Sequence, residues 1–229
     1  MSLIKLERHI ELMVDNEKQL ALILKTLDKE GILNNVVLIG SWCLLFYKEL
    51  FENFDPLVRT FDIDFYVPNA KAVKEKGNLI KSLKQLNYDV RRDYLTNKST
   101  FISPDGFELE FLTNLNRDRF NCVALGDTGI YMESLSYVEI FTSNYIEVDY
   151  QGIKVKVASP ASYVLQKLII NDRRESKQEK DIESIKHVLN YIALSKKSVD
   201  ELRTLYNSLP RKWKNKIDDT CQKNSIILP

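Results

Sequence analysis

The sequence predicts an α+β fold in which a mixed β-sheet flanked by helices is followed by a mostly helical C-terminal lobe. Two patterns predict it. Up to about residue 158, runs with period-two alternation are interspersed with runs of helical period, whereas from Pro160 onward helical periodicity alone continues. Length and composition agree: 229 residues with 44% hydrophobic and 28% charged side chains suit one generous domain or two small lobes. The expected division is an α/β lobe over residues 1–158 and a helical lobe over 159–229.

Taken in order, residues 3–30 place Leu3, Leu6, Ile10, Met13, Leu20, Ile23, Leu24 and Leu27 at helical spacing, and Gly31 with Asn34 and Asn35 ends the run. Val36–Ile39 reads as a buried strand, Gly40-Ser41 as a tight turn and helix cap, and Trp42–Leu50 as a helix. Phe61–Val67 alternates with period two and stops at Pro68, which puts Asp62 and Asp64 on one face while Phe61, Ile63 and Phe65 bury the other. Residues 70–86 read as one amphipathic helix. Tyr88–Tyr94, Thr100–Ser103 and Phe107–Leu112 read as strands, the last two joined by the turn residues Pro104-Asp105-Gly106. Residues 113–135 show no clean period and are expected to be irregular. Tyr145–Asp149 and Ile153–Val157 flank a Gln151-Gly152 turn, and helices are expected over Ala161–Ile170, Lys177–Ala193, Val199–Leu209 and a short stretch after Pro210.

Composition excludes several classes. Seven Gly and six Pro rule out collagen-like or linker-like chains, and 10% aromatic residues supply the bulk of a real core. The longest apolar run, Val36–Tyr47, is broken by Gly40 and Ser41 and is too short to span a bilayer, so no membrane association is expected. The N-terminus has no export-signal pattern, from which a cytoplasmic location is expected. Cys43, Cys122 and Cys221 lie far apart without Cys-x-x-Cys spacing, and with only His9 and His187 beside them they read as reduced thiols rather than a zinc site. The net charge of +1 conceals an asymmetry: residues 1–150 carry 17 Lys and Arg against 23 Asp and Glu, and residues 151–229 carry 16 against 9. A basic C-terminal part facing an acidic N-terminal part suits a polyanion with metal counter-ions, or simple attraction between the two parts.

Four places carry chemistry. Gly40-Ser41 between a strand and a helix lets a phosphate approach the backbone and offers a hydroxyl beside free N–H groups. Asp62 and Asp64 on one sheet face repel each other unless a cation joins them, and hard oxygen ligands at this spacing suit Mg²⁺. Glu108 and Glu110 repeat the one-face arrangement on a later strand; Glu110 is favoured as the third carboxylate of a metal cluster, with Glu108 as competitor. Last, Lys167 interrupts an apolar helix and stands seven residues before Arg174, so the two cations share a face if that helix continues. No Gly-x-x-x-x-Gly-Lys-Ser/Thr run is present, which excludes a P-loop at the level of motif.

Gly40-Ser41, Arg59-Thr60-Phe61-Asp62-Ile63-Asp64 and the strand around Glu110 together resemble the signature of the polymerase-beta-like nucleotidyltransferase superfamily. The downstream run Pro160, Lys167, Arg174, Lys180-Asp181 is similar to its bacterial branch that includes the abortive-infection toxin nucleotidyltransferases. The likeness spans about residues 36–190; it departs in spacing, since Asp62 follows Ser41 by 21 positions, longer than in the minimal members, with Phe54-Asp55-Pro56 inserted. The resemblance implies that Asp62, Asp64 and Glu110 hold two Mg²⁺ ions, replaceable by Mn²⁺, and that Gly40, Ser41, Lys167 and Arg174 bind a nucleoside triphosphate (NTP). It also implies that Asp181 orients Lys167 or the acceptor. The implied reaction moves NMP from the NTP to a hydroxyl of RNA, protein or a small molecule. RNA, tRNA included, is slightly favoured as acceptor by the basic C-terminal lobe, and an antitoxin protein is a candidate partner.

Overall fold

The computed structural model describes residues 17–56, 58, 60–115 and 122–229. The expected helix over residues 3–16 and the position of Arg59 lie outside them. Residues 17–29 form helix α1, whose Leu20, Ile23, Leu24 and Leu27 are buried as their spacing requires. The strands are β1 (Val37–Ile39), β2 (Asp62–Tyr66), β3 (Asp89–Arg92), β4 (Ser99–Ile102), β5 (Glu108–Asn114), β6 (Cys122–Ala124), β7 (Tyr131–Leu135), β8 (Tyr145–Tyr150) and β9 (Ile153–Ala158). Among the described residues they build one mixed sheet in the order β3-β4-β5-β2-β1-β9-β8, with β7 pairing β5 and β6 pairing β7.

Two pairings position the acidic side chains. β2 runs parallel to β5 with Asp62 opposite Glu108 and Asp64 opposite Glu110, and β1 runs antiparallel to β2 with Ile39 opposite Asp64. Alternation then buries Ile63, Phe65, Leu109 and Phe111 on the opposite face, where Phe65 stacks on Phe111 with ring centroids 6.0 Å apart.

Four helices come after β9: α4 (Pro160–Ile170), α5 (Gln178–Ile192), α6 (Lys196–Ser208) and α7 (Arg211–Lys223). Ser159 caps α4 by accepting from the Ser162 N–H, and Pro160 takes the first helical turn, where its missing donor costs nothing. The α4 helix is fastened to the sheet by Tyr163, which packs edge-on against Tyr47 at 5.9 Å, while the Tyr47 hydroxyl donates to the Ala158 carbonyl at 2.8 Å. Among the described residues no helix is long and apolar enough to cross a membrane. All three cysteines are free.

The structure departs from the sequence reading in six places. Gly40-Ser41 lies in a 3₁₀ turn, Gly40–Trp42, with no side-chain cap, and the helix after it (α2) is only Cys43–Tyr47. Phe61 is 47% exposed, because it precedes the first paired residue of β2 and rests edge-on against Phe107 at 5.1 Å. The expected helix over 70–86 is a 3₁₀ turn at Ala70–Ala72 and a short helix, α3 (Leu79–Gln85); Asn78 starts the latter by accepting from the Lys81 N–H at 2.8 Å. Within the supposedly irregular 113–135, β6 and β7 form an antiparallel pair around a turn carrying Gly126 and Gly129. The helix after Pro210 is 13 residues long. Finally, α4 ends at Ile170 and gives way to a 3₁₀ turn, Asn171–Arg173, so Lys167 and Arg174 do not lie on one helix face.

Phe65, wholly buried between β1 and β5, is the centre of this packing. Phe65→Ala should lower unfolding free energy by about 3–5 kcal/mol in urea denaturation; a loss below about 1 kcal/mol would contradict the packing described.

Candidate active site

The carboxylates of β2 and β5 meet beside the turn after β1. Gly40 adopts φ +73°, and a Cβ there would stand 2.8 Å from Asp64 Oδ2. Glycine is therefore required twice, by the backbone conformation and by the carboxylate lying against it. Ser41 comes next, beside Tyr163; burial pushes the Tyr163 hydroxyl up, with hydrogen bonds to Ser184 and Ser41 acting against it.

Asp64 is the electrostatic centre. Burial, then the charges of Glu110 and Asp62, push its carboxyl up to about 7. Asp62 behaves oppositely: partial burial raises it, but a hydrogen bond and the charge of Lys177, helped by Thr60, outweigh that and hold it below the ordinary range. The Lys177 ammonium stands 2.9 Å from Asp62 Oδ2. Glu110 accepts from Thr100 Oγ1 at 3.1 Å and pairs with Lys98 at 2.8 Å, and Lys98 also reaches Glu133 at 2.7 Å. Glu108 shares the face but lies opposite Asp62 in register, one step further along; Glu110 lies opposite Asp64 and acts on it more strongly than Asp62 does.

The helical part brings a second cluster. Lys167 is 4% exposed and Asp181 3% exposed, and the Lys167 ammonium donates to Asp181 Oδ1. Arg174 Nε stands 2.8 Å from the other oxygen, Oδ2. The two cations predicted to share a helix face are thus gathered by a common acid on α5. Burial draws the Lys167 ammonium down, with Asp181 acting against it, and its Nζ lies 5.2 Å from the Tyr163 ring centroid. Lys180 is likewise drawn down by burial and by neighbouring Lys177.

The structure thus brings Gly40, Asp64, Asp62 and Glu110 to one place and joins Lys167, Arg174 and Asp181 in another cluster, linked electrostatically to the first by the effect of Arg174 and Lys177 on Asp64. Sequence reading missed Lys98, Thr100 and Lys177. Lys177 and Lys180 stood in the basic run, but only the fold shows Lys177 reaching Asp62; Lys98 has no motif and is found only through the pairing of β4 with β5.

Among the described residues no three His, Cys, Asp or Glu side chains already form a metal-holding group. The donor set nevertheless fits a hard divalent ion: carboxyl oxygens on adjacent strands, one of them a buried acid pushed up to about 7 by burial and its acidic neighbours, beside a glycine without a Cβ.

The sequence matches the family described as Nucleotidyltransferase over residues 18–209. The chain belongs to the nucleotidyltransferase family. It is accordingly a transferase of nucleotidyl groups, and the match spans β1, β2, β5 and the Lys167–Asp181 cluster. No curated protein matches it significantly. Among solved structures, it is similar to an antigenic nucleotidyltransferase-like protein from Paracoccidioides brasiliensis, with 18% identity and TM-score 0.52 over 91% of this chain and 88% of that one. It is also similar to the antibiotic-resistance factor ANT(2'')-Ia, at 18% identity and TM-score 0.48 over 84% of this chain and 93% of that one. A crystal structure of ANT(2")-Ia in complex with adenylyl-2"-tobramycin matches at 17% identity and TM-score 0.48, over 83% and 96%. These findings support the nucleotidyltransferase family and not its abortive-infection branch, and they lend no support to an RNA acceptor or an antitoxin.

The electrostatics can be tested by stability. The Asp64 carboxyl titrates higher in the folded chain (about 7) than its ordinary 3.8, so the folded state binds more protons between those values and stability falls as pH rises through them. In metal-free buffer Asp64→Asn should therefore be more stable than wild type at about pH 8, by on the order of 2 kcal/mol in denaturant unfolding, and the difference should shrink toward about pH 4. A pH-independent difference would refute the assignment. Asp181→Ala leaves a buried ammonium without its partner and should cost about 3–5 kcal/mol in the same measurement.

Proposed function

We propose that this chain is a Mg²⁺-dependent nucleotidyltransferase that moves NMP from an NTP to a hydroxyl acceptor and releases pyrophosphate. One observation carries the reading: Asp64 lies against Gly40 on one side and opposite Glu110 on the other, with the charges of Arg174 and Lys177, from the connector between α4 and α5, acting on it. An acid so placed is destabilised in the free chain and is compensated by a divalent cation. Residues 1–158 would form the catalytic lobe, and residues 159–229 would contribute to the nucleotide site.

In this reading Gly40 and Ser41 receive the outer phosphates through backbone N–H groups and the Ser41 hydroxyl. Lys167 and Arg174, fixed by Asp181, neutralise the triphosphate from the helical side. Mg²⁺ (two ions, replaceable by Mn²⁺) would be held by Asp62, Asp64 and Glu110 and, when bound, lowers the pKa of the attacking hydroxyl and offsets charge on the triphosphate. The acceptor oxygen attacks the α-phosphorus in line; a new P–O bond forms as the acceptor's proton passes to solvent water, and the bond to the bridging oxygen breaks, so pyrophosphate leaves with that electron pair. Lys98 and Thr100 contact Glu110 and would be positioning residues for it.

The test incubates the protein with each α-³²P nucleoside triphosphate, Mg²⁺ or Mn²⁺, and a mixture of total RNA, proteins and small hydroxyl compounds, then resolves the three fractions. Label should appear in one fraction, and Asp62→Asn and Asp64→Asn should each reduce it by about 10²–10³-fold. Label in no fraction would overturn the transfer reaction and favour a noncatalytic nucleotide-binding module.

A further inference from the structure

Lys177 forms an ion pair with Asp62 and belongs to none of the roles assigned above. The pair is 2.9 Å long, yet both partners are open to water, with the lysine side chain 50% and the aspartate 38% exposed. By contrast, Lys98 is 21% exposed and held by two carboxylates, and Lys167 is 4% exposed against Asp181. Lys177 ends a 3₁₀ turn, Glu175–Lys177, which joins a preceding 3₁₀ turn to α5, and the start of α5 has no side-chain cap. Its backbone is therefore held by a short connector rather than by a helix interior.

We propose that Lys177 is an exchangeable counter-ion: in the nucleotide-free chain it neutralises Asp62, and it passes to the triphosphate when the nucleotide and its divalent cation bind. The inference rests on the reading of the site as an NTP and metal centre. A hard cation held by Asp62 would draw on the same carboxylate charge that Lys177 now neutralises, so the two would compete. Displaced from Asp62, the ammonium stands among Arg174 and Lys180, whose charges already act with its own on this site. Asp181 offsets part of that like charge, and a bound polyanion relieves more of it. Asp62 and the triphosphate thus share one lysine in alternation, which keeps the carboxylate compensated before the metal arrives and the phosphates compensated afterwards.

The consequence is a pair of effects of opposite sign. Lys177→Gln should bind Mn²⁺ more tightly than wild type in the absence of nucleotide, by about two- to five-fold in electron paramagnetic resonance titration, because the competing cation is gone. The same variant should bind α,β-methylene nucleoside triphosphate with Mg²⁺ roughly ten-fold more weakly in calorimetry. Lys177→Arg, which keeps the charge, should restore nucleotide binding, while a substitution that merely loosened the fold would weaken both ligands. Weakening of both, or no change in either while wild type binds both, overturns the exchange. Wild type that binds neither Mn²⁺ nor the analogues overturns the nucleotide reading of the site itself.

Discussion

Two acidic strands in parallel register are the constraint from which the site is built. Placing Asp64 opposite Glu110 with Asp62 two residues away concentrates negative charge on one sheet face, and a protein interior does not tolerate that without compensation. The register is not chosen by the charges. It is imposed by the other face, where Ile63, Phe65, Leu109 and Phe111 are buried; a one-residue slip would send those side chains to solvent. Apolar burial therefore supplies the free energy that holds repelling acids together, and the chemistry uses the repulsion.

The charge asymmetry between the halves of the chain acquires a location in the structure. Cations of the C-terminal part, Lys177 and Arg174 among them, act directly on the acids of β2. Asp181 determines how the deeper cations are held. With one oxygen on Lys167 and the other facing Arg174, it compensates the buried ammonium, which alone would be costly, and draws a second, partly exposed cation beside it. The helix break at Ile170 matters here, since it turns the chain so that Arg174 reaches Asp181 from a different side than Lys167 does.

Much of this arrangement is legible in the residues themselves. Period-two alternation exposes Asp62 and Asp64 on a common face and identifies β5 with its two glutamates, and Ser159-Pro160 marks the start of α4 as cap and first turn do elsewhere. The choice between Glu108 and Glu110 is not legible, because it depends on which residue of β5 lies opposite Asp64, and strand register is a nonlocal property. Lys98 is invisible for the same reason: it lies before a strand with no motif around it and meets Glu110 only through sheet order. The β6 and β7 pair is not readable, because burial alternates along Tyr131–Leu135 on Met132 and Ser134 while the residue types do not, and a glycine- and aspartate-rich turn precedes it. The break of the expected helix over 70–86 reflects Gly77 and Asn78, local signals that the longer apolar period conceals.

The segment between Ser41 and Asp62, longer than the resemblance in the sequence leads one to expect, finds its place in packing rather than in chemistry. Phe51 and Phe54 pack against Tyr191, at 5.9 and 4.8 Å between ring centroids, and Phe54 lies 5.0 Å from His187. His187 Nε2 donates to the Asp55 carbonyl at 2.7 Å, and the Tyr191 hydroxyl donates to the Asn53 carbonyl at 2.9 Å. Both side chains belong to α5, the helix that carries Asp181 at its other end. Exposed ion pairs such as Lys177 with Asp62 are worth at most about 1 kcal/mol and cannot orient a helix. Aromatic contacts of about 0.5–1.5 kcal/mol each, added to the burial beneath them, can. The inserted loop therefore acts as a clamp on α5. Through that helix it fixes where the buried acid stands relative to the carboxylates of the sheet, leaving the solvent-exposed charges free to change partners.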